Sequence, residues 1–107
     1  MAIGQYCHTN ADYSFAFGTQ NTANGNNSFA LGNKNTTNGN NSFAFGNNNT
    51  ANGNNSFAFG DGAIASGKSS LAFGASPQSL ADYSITVGDH GENKGVSSFC
   101  GGHYCNI

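Results

Sequence analysis

The 107-residue chain is short of charge: Lys and Arg together number 3, Asp and Glu 5, and only 7% of residues carry a formal charge. Ordinary globular domains carry roughly 25%, so uncharged polar groups must keep this one hydrated. Arginine and tryptophan are absent, and there is one proline. A net charge of −2 gives no basic footprint for nucleic acid and no polybasic patch for a membrane surface. Apolar runs are no longer than pieces such as S-F-A-F-G, far below the ~20 residues that span a bilayer. Residues 1–20 show no basic n-region followed by an apolar h-region, so no signal peptide is visible there.

Asn, Gly, Ser and Thr are plentiful instead. Such a composition can belong to a disordered, prion-like segment. Strict periodicity argues against disorder, which places no demand on register. Glycine recurs every fourteen residues at 4, 18, 32, 46, 60, 74, 88 and 102, and serine at 14, 28, 42, 56, 70, 84 and 98. The serine is followed by Phe15, Phe29, Phe43, Phe57, Leu71, Ile85 and Phe99. Two positions later stand Phe17, Leu31, Phe45, Phe59, Phe73 and Val87, and further glycines fall midway at 25, 39, 53, 67 and 95. An internal period of this length marks a repeat architecture.

Fourteen residues are too few for a helical hairpin. They suit two short strands per coil, with turns at Gly18, Gly25, Gly32, Gly39, Gly46, Gly53, Gly60, Gly67, Gly74 and Gly88, where glycine tolerates positive φ. The expected fold is an all-β solenoid, a parallel β-roll of about seven coils forming one domain over residues 1–107. Strand side chains alternate, so Phe15, Phe17, Phe29, Leu31, Phe43, Phe45, Phe57, Phe59, Leu71, Phe73, Ile85 and Val87 are expected to form one continuous core stack. That stack would sit over small residues of the second strand, such as Asn49 with Ala51 or Ala63 with Ala65. Asparagine columns such as 26, 40, 54 and 27, 41, 55 would lie ~4.8 Å apart and hydrogen-bond from coil to coil.

The coil GDGAIASGKSSLAFG, residues 60–74, resembles the head repeat of trimeric autotransporter adhesins, the YadA-like head. The resemblance runs over nearly the whole chain. It implies a left-handed parallel β-roll, three chains side by side, and adhesion at a bacterial or extracellular surface with attachment to a host or matrix. On that resemblance Ala16, Ala30, Ala44, Ala58 and Ala72 form the inter-chain face. Phe replaces the family's branched aliphatics, Asn replaces Ala at 21, 35 and 49, and no neck, stalk or anchor is seen.

The terminal coils, 1–11 and 98–107, are candidate assembly ends. GQYCH at 4–8 and GHYCN at 102–106 share a register, with Tyr6 matching Tyr104 and Cys7 matching Cys105. A fibre of copies stacked end to end would bring Cys105 within one coil spacing of a neighbour's Cys7, inside the Cα range of a disulfide, ~4.4–6.8 Å. Cys100 is left over on that reading. Shared ancestry of the end repeats explains the same echo without assembly, and in a reducing cytosol the cysteines are simply small residues.

Other chemistry is thinly signalled. Cys7-His8 and His103-x-Cys105 lack zinc-ligand spacing, and the scattered acids suit turns. Gly62 with Gly67-Lys68-Ser69 imitates a phosphate loop, but no helix is expected after it. The sequence therefore points to a cofactor-free, non-catalytic, self-assembling structural or adhesive module. The alternative is an ice- or glycan-binding solenoid using a polar Asn/Thr face, with Thr22, Thr36 and Thr50 in one row.

Overall fold

The computed structural model describes residues 1–107 and contains only β-strands and turns. Each coil has one long and one short strand. The long strands are Ala2–Gln5, Phe15–Thr19, Phe29–Asn33, Phe43–Asn47, Phe57–Asp61, Leu71–Ala75, Ile85–Asp89 and Phe99–His103. Short strands of two residues, such as Thr36–Thr37, Thr50–Ala51 and Ile64–Ala65, lie between them. The long strands form one parallel sheet of eight and the short strands a second of seven, each strand pairing with its copy fourteen residues away. The body measures 36 × 20 × 10 Å.

The interior is made of small residues. Ala16, Ala30, Ala44, Ala58 and Ala72 of the long strands are fully buried against Ala23, Ala51, Ala63 and Ala65 of the short-strand side. This reverses two expectations. The alanine column is the core and not an inter-chain face. Phe15, Phe17, Phe29, Leu31, Phe43, Phe45, Phe57, Phe59, Leu71, Phe73, Ile85 and Val87 point outward from the long-strand sheet, where each is half-buried or exposed.

Chain length explains the reversal. Fourteen residues at ~3.3 Å give a perimeter of about 46 Å. A coil 20 Å wide spends nearly all of it on its two faces. The body is only 10 Å thick, so Ala, Ser and Asn fit inside and Phe does not. The hydrophobic contribution of such a core is modest, because Ala has little surface to bury.

Polar groups supply the rest. Asn21, Asn35 and Asn49 are fully buried and form an internal ladder. Asn35 Nδ2 lies within donor distance of Leu31 O (2.6 Å), Gly46 O (2.8 Å) and Asn21 Oδ1 (3.0 Å). Its Oδ1 accepts from Asn49 N and Asn49 Nδ2, both at 3.0 Å. Asn49 Oδ1 then accepts from Ala63 N at 2.8 Å, where the ladder ends. Where a larger polar residue enters the interior, a facing hydroxyl meets it: Thr37 Oγ1 donates to Ser28 Oγ at 3.0 Å, and Ser79 pairs with Thr86 at 2.7 Å. Most column serines donate to the carbonyl three residues back, as Ser42 does to Gly39 O at 2.6 Å; Ser56 and Ser70 have no partner.

The glycines expected at the turns do not make the corners; Gly62, at φ 71°, is the one glycine that does. Gly18, Gly32, Gly46, Gly60, Gly74 and Gly88 sit inside the long strands, and Gly25, Gly39, Gly53 and Gly67 have no positive φ. The left-handed corner residues are instead Gln20, Lys34, Asn48, Ser76 and His90 on one edge, and Tyr13, Asn27, Asn41, Asn55, Ser69, Tyr83 and Ser97 on the other, at φ from 54° to 60°. Asparagine suits such positions because its short amide satisfies local backbone groups. Glycine is needed where coils approach too closely for a Cβ. One added to Gly39 would lie 2.0 Å from Gly53 O.

Candidate interaction surfaces

The outer face of the long-strand sheet carries two apolar columns. One runs Met1, Phe15, Phe29, Phe43, Phe57, Leu71, Ile85, Phe99, and the other Ile3, Phe17, Leu31, Phe45, Phe59, Phe73, Val87. In-register pairing places each ring on its copy. Ring centroids are 4.8 Å apart for Phe15–Phe29, 4.9 Å for Phe43–Phe57 and Phe45–Phe59, and 5.2 Å for Phe59–Phe73. Such pairs contribute ~0.5–1.5 kcal/mol each beyond area burial. They shield one another along the column but not from the front. Phe17 remains 50% exposed, Phe45 44% and Phe73 47%.

The opposite face is polar. Thr22, Thr36 and Thr50 lie in register on the short-strand sheet, flanked by Asn24, Asn38 and Asn52. Those amides are engaged with each other: Asn24 Nδ2 donates to Asn38 Oδ1 at 2.8 Å, and Asn38 Nδ2 to Asn52 Oδ1 at 2.6 Å. At the corners Asn27, Asn41 and Asn55 form a second outer ladder at 3.2 Å, while Asn40 Oδ1 accepts from Asn26 N at 3.0 Å. Much of the amide hydrogen-bonding capacity is thus spent within the protein, while the threonine hydroxyls make no side-chain hydrogen bond there.

The third surface is the pair of ends. Ala2–Gln5 pairs only with Phe15–Thr19, and Phe99–His103 only with Ile85–Asp89, so each has one bare backbone edge. Tyr6 and Tyr104 occupy equivalent left-handed corners at φ 59° and 54° and are exposed. Tyr104 stacks on His90 at 5.2 Å and meets His103 edge-on at 4.1 Å. Asp89 bridges the two histidines, its Oδ2 2.9 Å from His103 Nδ1 and its Oδ1 on His90 Nδ1. Met1 and the Cys7-His8 pair belong to the far end of the stack, so the two Cys/His groups are separated by the whole body.

The cysteines depart from expectation. Cys100 is bonded to Cys105 in its own chain, with Cα atoms 5.7 Å apart, and the unpaired thiol is Cys7. Cys100 replaces the interior alanine of the last long strand, and Cys105 takes the column of Asn21, Asn35 and Asn49. Those two columns face each other inside every coil, so side chains of sulfur reach there meet. Residues 67–69 form a turn that leads into a strand, so no helix N-terminus is present to cradle phosphate. No helix is long and apolar enough to cross a membrane.

These features define a stacked parallel β-solenoid with an alanine-lined interior and an aromatic outer face. The YadA head domain repeat model matches at residues 10–35, 23–49, 38–63, 51–76 and 65–89, and the chain belongs to that family. It is an adhesin-type β-solenoid, a class of structural repeat. A comparison with curated proteins finds no significant match.

Proposed function

We propose that this protein is a self-assembling head unit of an extracellular surface adhesin or fibre. Copies associate laterally through the aromatic face and end to end through the bare terminal coils. The observation that carries the reading is the double column of half-buried and exposed apolar side chains, mostly phenylalanine, on one flat sheet. Contiguous exposed apolar patches of several hundred Å² mark interaction sites on soluble proteins. The face of 36 × 20 Å is comparable with the ~800 Å² that each partner gives to a standard interface. A second copy is the fitting occupant, because the two columns hold no charged residue for a charged partner to read and family membership favours homo-oligomers of trimeric-adhesin type.

End-to-end association rests on register. Cys7 and Cys105 stand 98 residues apart, seven periods of fourteen. A second chain placed one period further on lays its Ala2–Gln5 edge along Phe99–His103 and its Tyr6 over Tyr104, as Tyr104 already lies over His90. Both bare edges are satisfied by this step, which removes the open-strand liability of a solenoid end. Repetition of identical faces along such a fibre turns weak contacts with a host or matrix surface into avid attachment.

Lateral assembly is tested with Phe59→Asp, which puts a charge at the centre of the apolar face. Wild-type protein sediments as laterally associated oligomers or filaments, and the variant only as monomers or single-file end-to-end stacks. The far-ultraviolet circular dichroism of the two stays the same, because position 59 is outside the core. A wild type that remains monomeric at high micromolar concentration contradicts the proposal.

A further inference from the structure

The end-to-end junction brings three cysteines into one column system. Resting on that assembly reading, we infer that the Cys100–Cys105 disulfide is a transferable lock, passed to the junction by thiol–disulfide exchange with the next subunit's Cys7.

The geometry comes from the coil itself. Positions 7, 21, 35, 49 and 105 form one interior column. Its members touch across one coil: Asn35 Nδ2 lies 3.0 Å from Asn21 Oδ1, and Asn21 Nδ2 lies 3.9 Å from Cys7 Sγ. Adding a subunit in register sets its Cys7 directly over Cys105, one coil away, as Cys7 lies over Asn21 and Asn21 over Asn35. Of the two bonded sulfurs, Cys105 belongs to a partly exposed residue and Cys100 to a fully buried one. The incoming thiol therefore meets Cys105 first.

The exchange conserves electrons. The incoming Cys7 loses its proton to water, and its thiolate attacks Sγ of Cys105. A Cys7–Cys105 bond forms as the Cys105–Cys100 bond breaks. The electron pair leaves on Cys100, which takes a proton from water. No oxidant is consumed, and each junction still holds one disulfide and one free thiol. The free thiol has moved from Cys7 at the surface of an end to Cys100 inside the junction.

The test is assembly of the disulfide-bonded protein under argon at mildly alkaline pH, followed by an N-ethylmaleimide quench. Non-reducing electrophoresis, peptide mapping and electron microscopy are run on the same sample. Cleavage after Tyr104 separates Cys100 from Cys105. The exchange predicts fibres, a ladder of covalent multimers, a Cys7–Cys105 linked peptide, and alkylation shifted from Cys7 to Cys100 with one label per chain throughout. Cys7→Ser should form fibres that fall to monomers on the gel; its column already accepts Asn, Ala, Pro and Gly at 21, 63, 77 and 91. Fibres that keep the label on Cys7 and the bond within the chain overturn the exchange and leave the stacking intact. Absence of both fibres and linked peptide overturns the stacking as well. A Cys7–Cys7 product also contradicts the exchange, since it requires oxidation and head-to-head contact.

Discussion

Gly46→Ala is expected to lower stability by about 3 kcal/mol or more, while Gly62→Asn leaves it within about 1 kcal/mol. Gly46 has φ 123°, a region side chains rarely adopt, and a Cβ there would lie 2.2 Å from Gly60 O in the next coil. Backbone strain of this kind is worth ~1–3 kcal/mol. The clash adds to it, because the obstacle is a carbonyl fixed in the ladder and not a side chain that can swing aside. Gly62 is the control. Its φ is 71°, its nearest neighbour to an added Cβ is Ser76 Oγ at 3.3 Å, and the equivalent corners are held by Lys34, Asn48 and Ser76. Urea titration of the two variants checks the contrast. A 107-residue protein has on the order of 5–15 kcal/mol in total, so the Gly46 variant should lose a large part of its transition midpoint. Equal midpoints for both variants would remove close coil contact as the reason for the glycine period.

The second large effect is expected at the buried asparagine ladder. Asn35→Asp replaces an amide aimed at Leu31 O, Gly46 O and Asn21 Oδ1 with a carboxyl group that, when ionised, has only acceptors to offer them. At neutral pH the charge is buried without a cation, a situation that costs ~3–5 kcal/mol or more. Burial and the surrounding oxygens raise the folded-state pKa of such a carboxyl above its unfolded value near ~3.9. The folded state then binds more protons than the unfolded one, so stability falls as pH rises from about 4. The variant should therefore be most stable in acid, opposite to the usual behaviour of a paired aspartate. Denaturation at pH 3.5 and pH 7 checks the sign. A variant equally stable at both would mean that position 35 faces water.

The coil length, the parallel stack and the family were legible because all three follow from register. Gly, Ser and an aromatic recur every fourteen residues, and any fold that honours the period must stack its copies. The side chosen for the interior was not obtained from hydrophobicity alone. Phe45 is the more apolar residue, and placing it inside is the ordinary reading of S-F-A-F-G. Size variation carried the better signal. The column of Ala16, Ala30, Ala44, Ala58 and Ala72 never holds a large side chain, and its last members are Thr86 and Cys100. The column of Ile3, Phe17, Leu31, Phe45, Phe59, Phe73, Val87 and Gly101 accepts almost any apolar volume. A constrained small column marks the narrow interior, and a permissive large one marks the open face.

The corners misled for a related reason. Glycine is the usual bearer of positive φ, but fourteen non-glycine residues from Tyr6 to Tyr104 carry it here. The glycines of the fourteen-residue period carry positive φ too, but inside the long strands, where backbones nearly touch. The cysteine pairing was hidden in the same way. With the phenylalanines placed inside, the column of Cys100 faces outward and Cys105 is left to find a partner in another chain. Once alanine is interior, Cys100 and Cys105 face each other within one coil.

The direct test of the account is a methyl and aromatic nuclear Overhauser experiment on the folded protein. Ala44 and Ala51 are both fully buried and pack in the same interior cluster, so the Ala44 methyl should show a strong cross-peak to the Ala51 methyl and none of comparable strength from the Phe45 ring to Ala51. Lateral association leaves this result unchanged, because it covers the outer face only. A strong Phe45-to-Ala51 contact without the alanine pair would turn the coil inside out and contradict the structure proposed for its core.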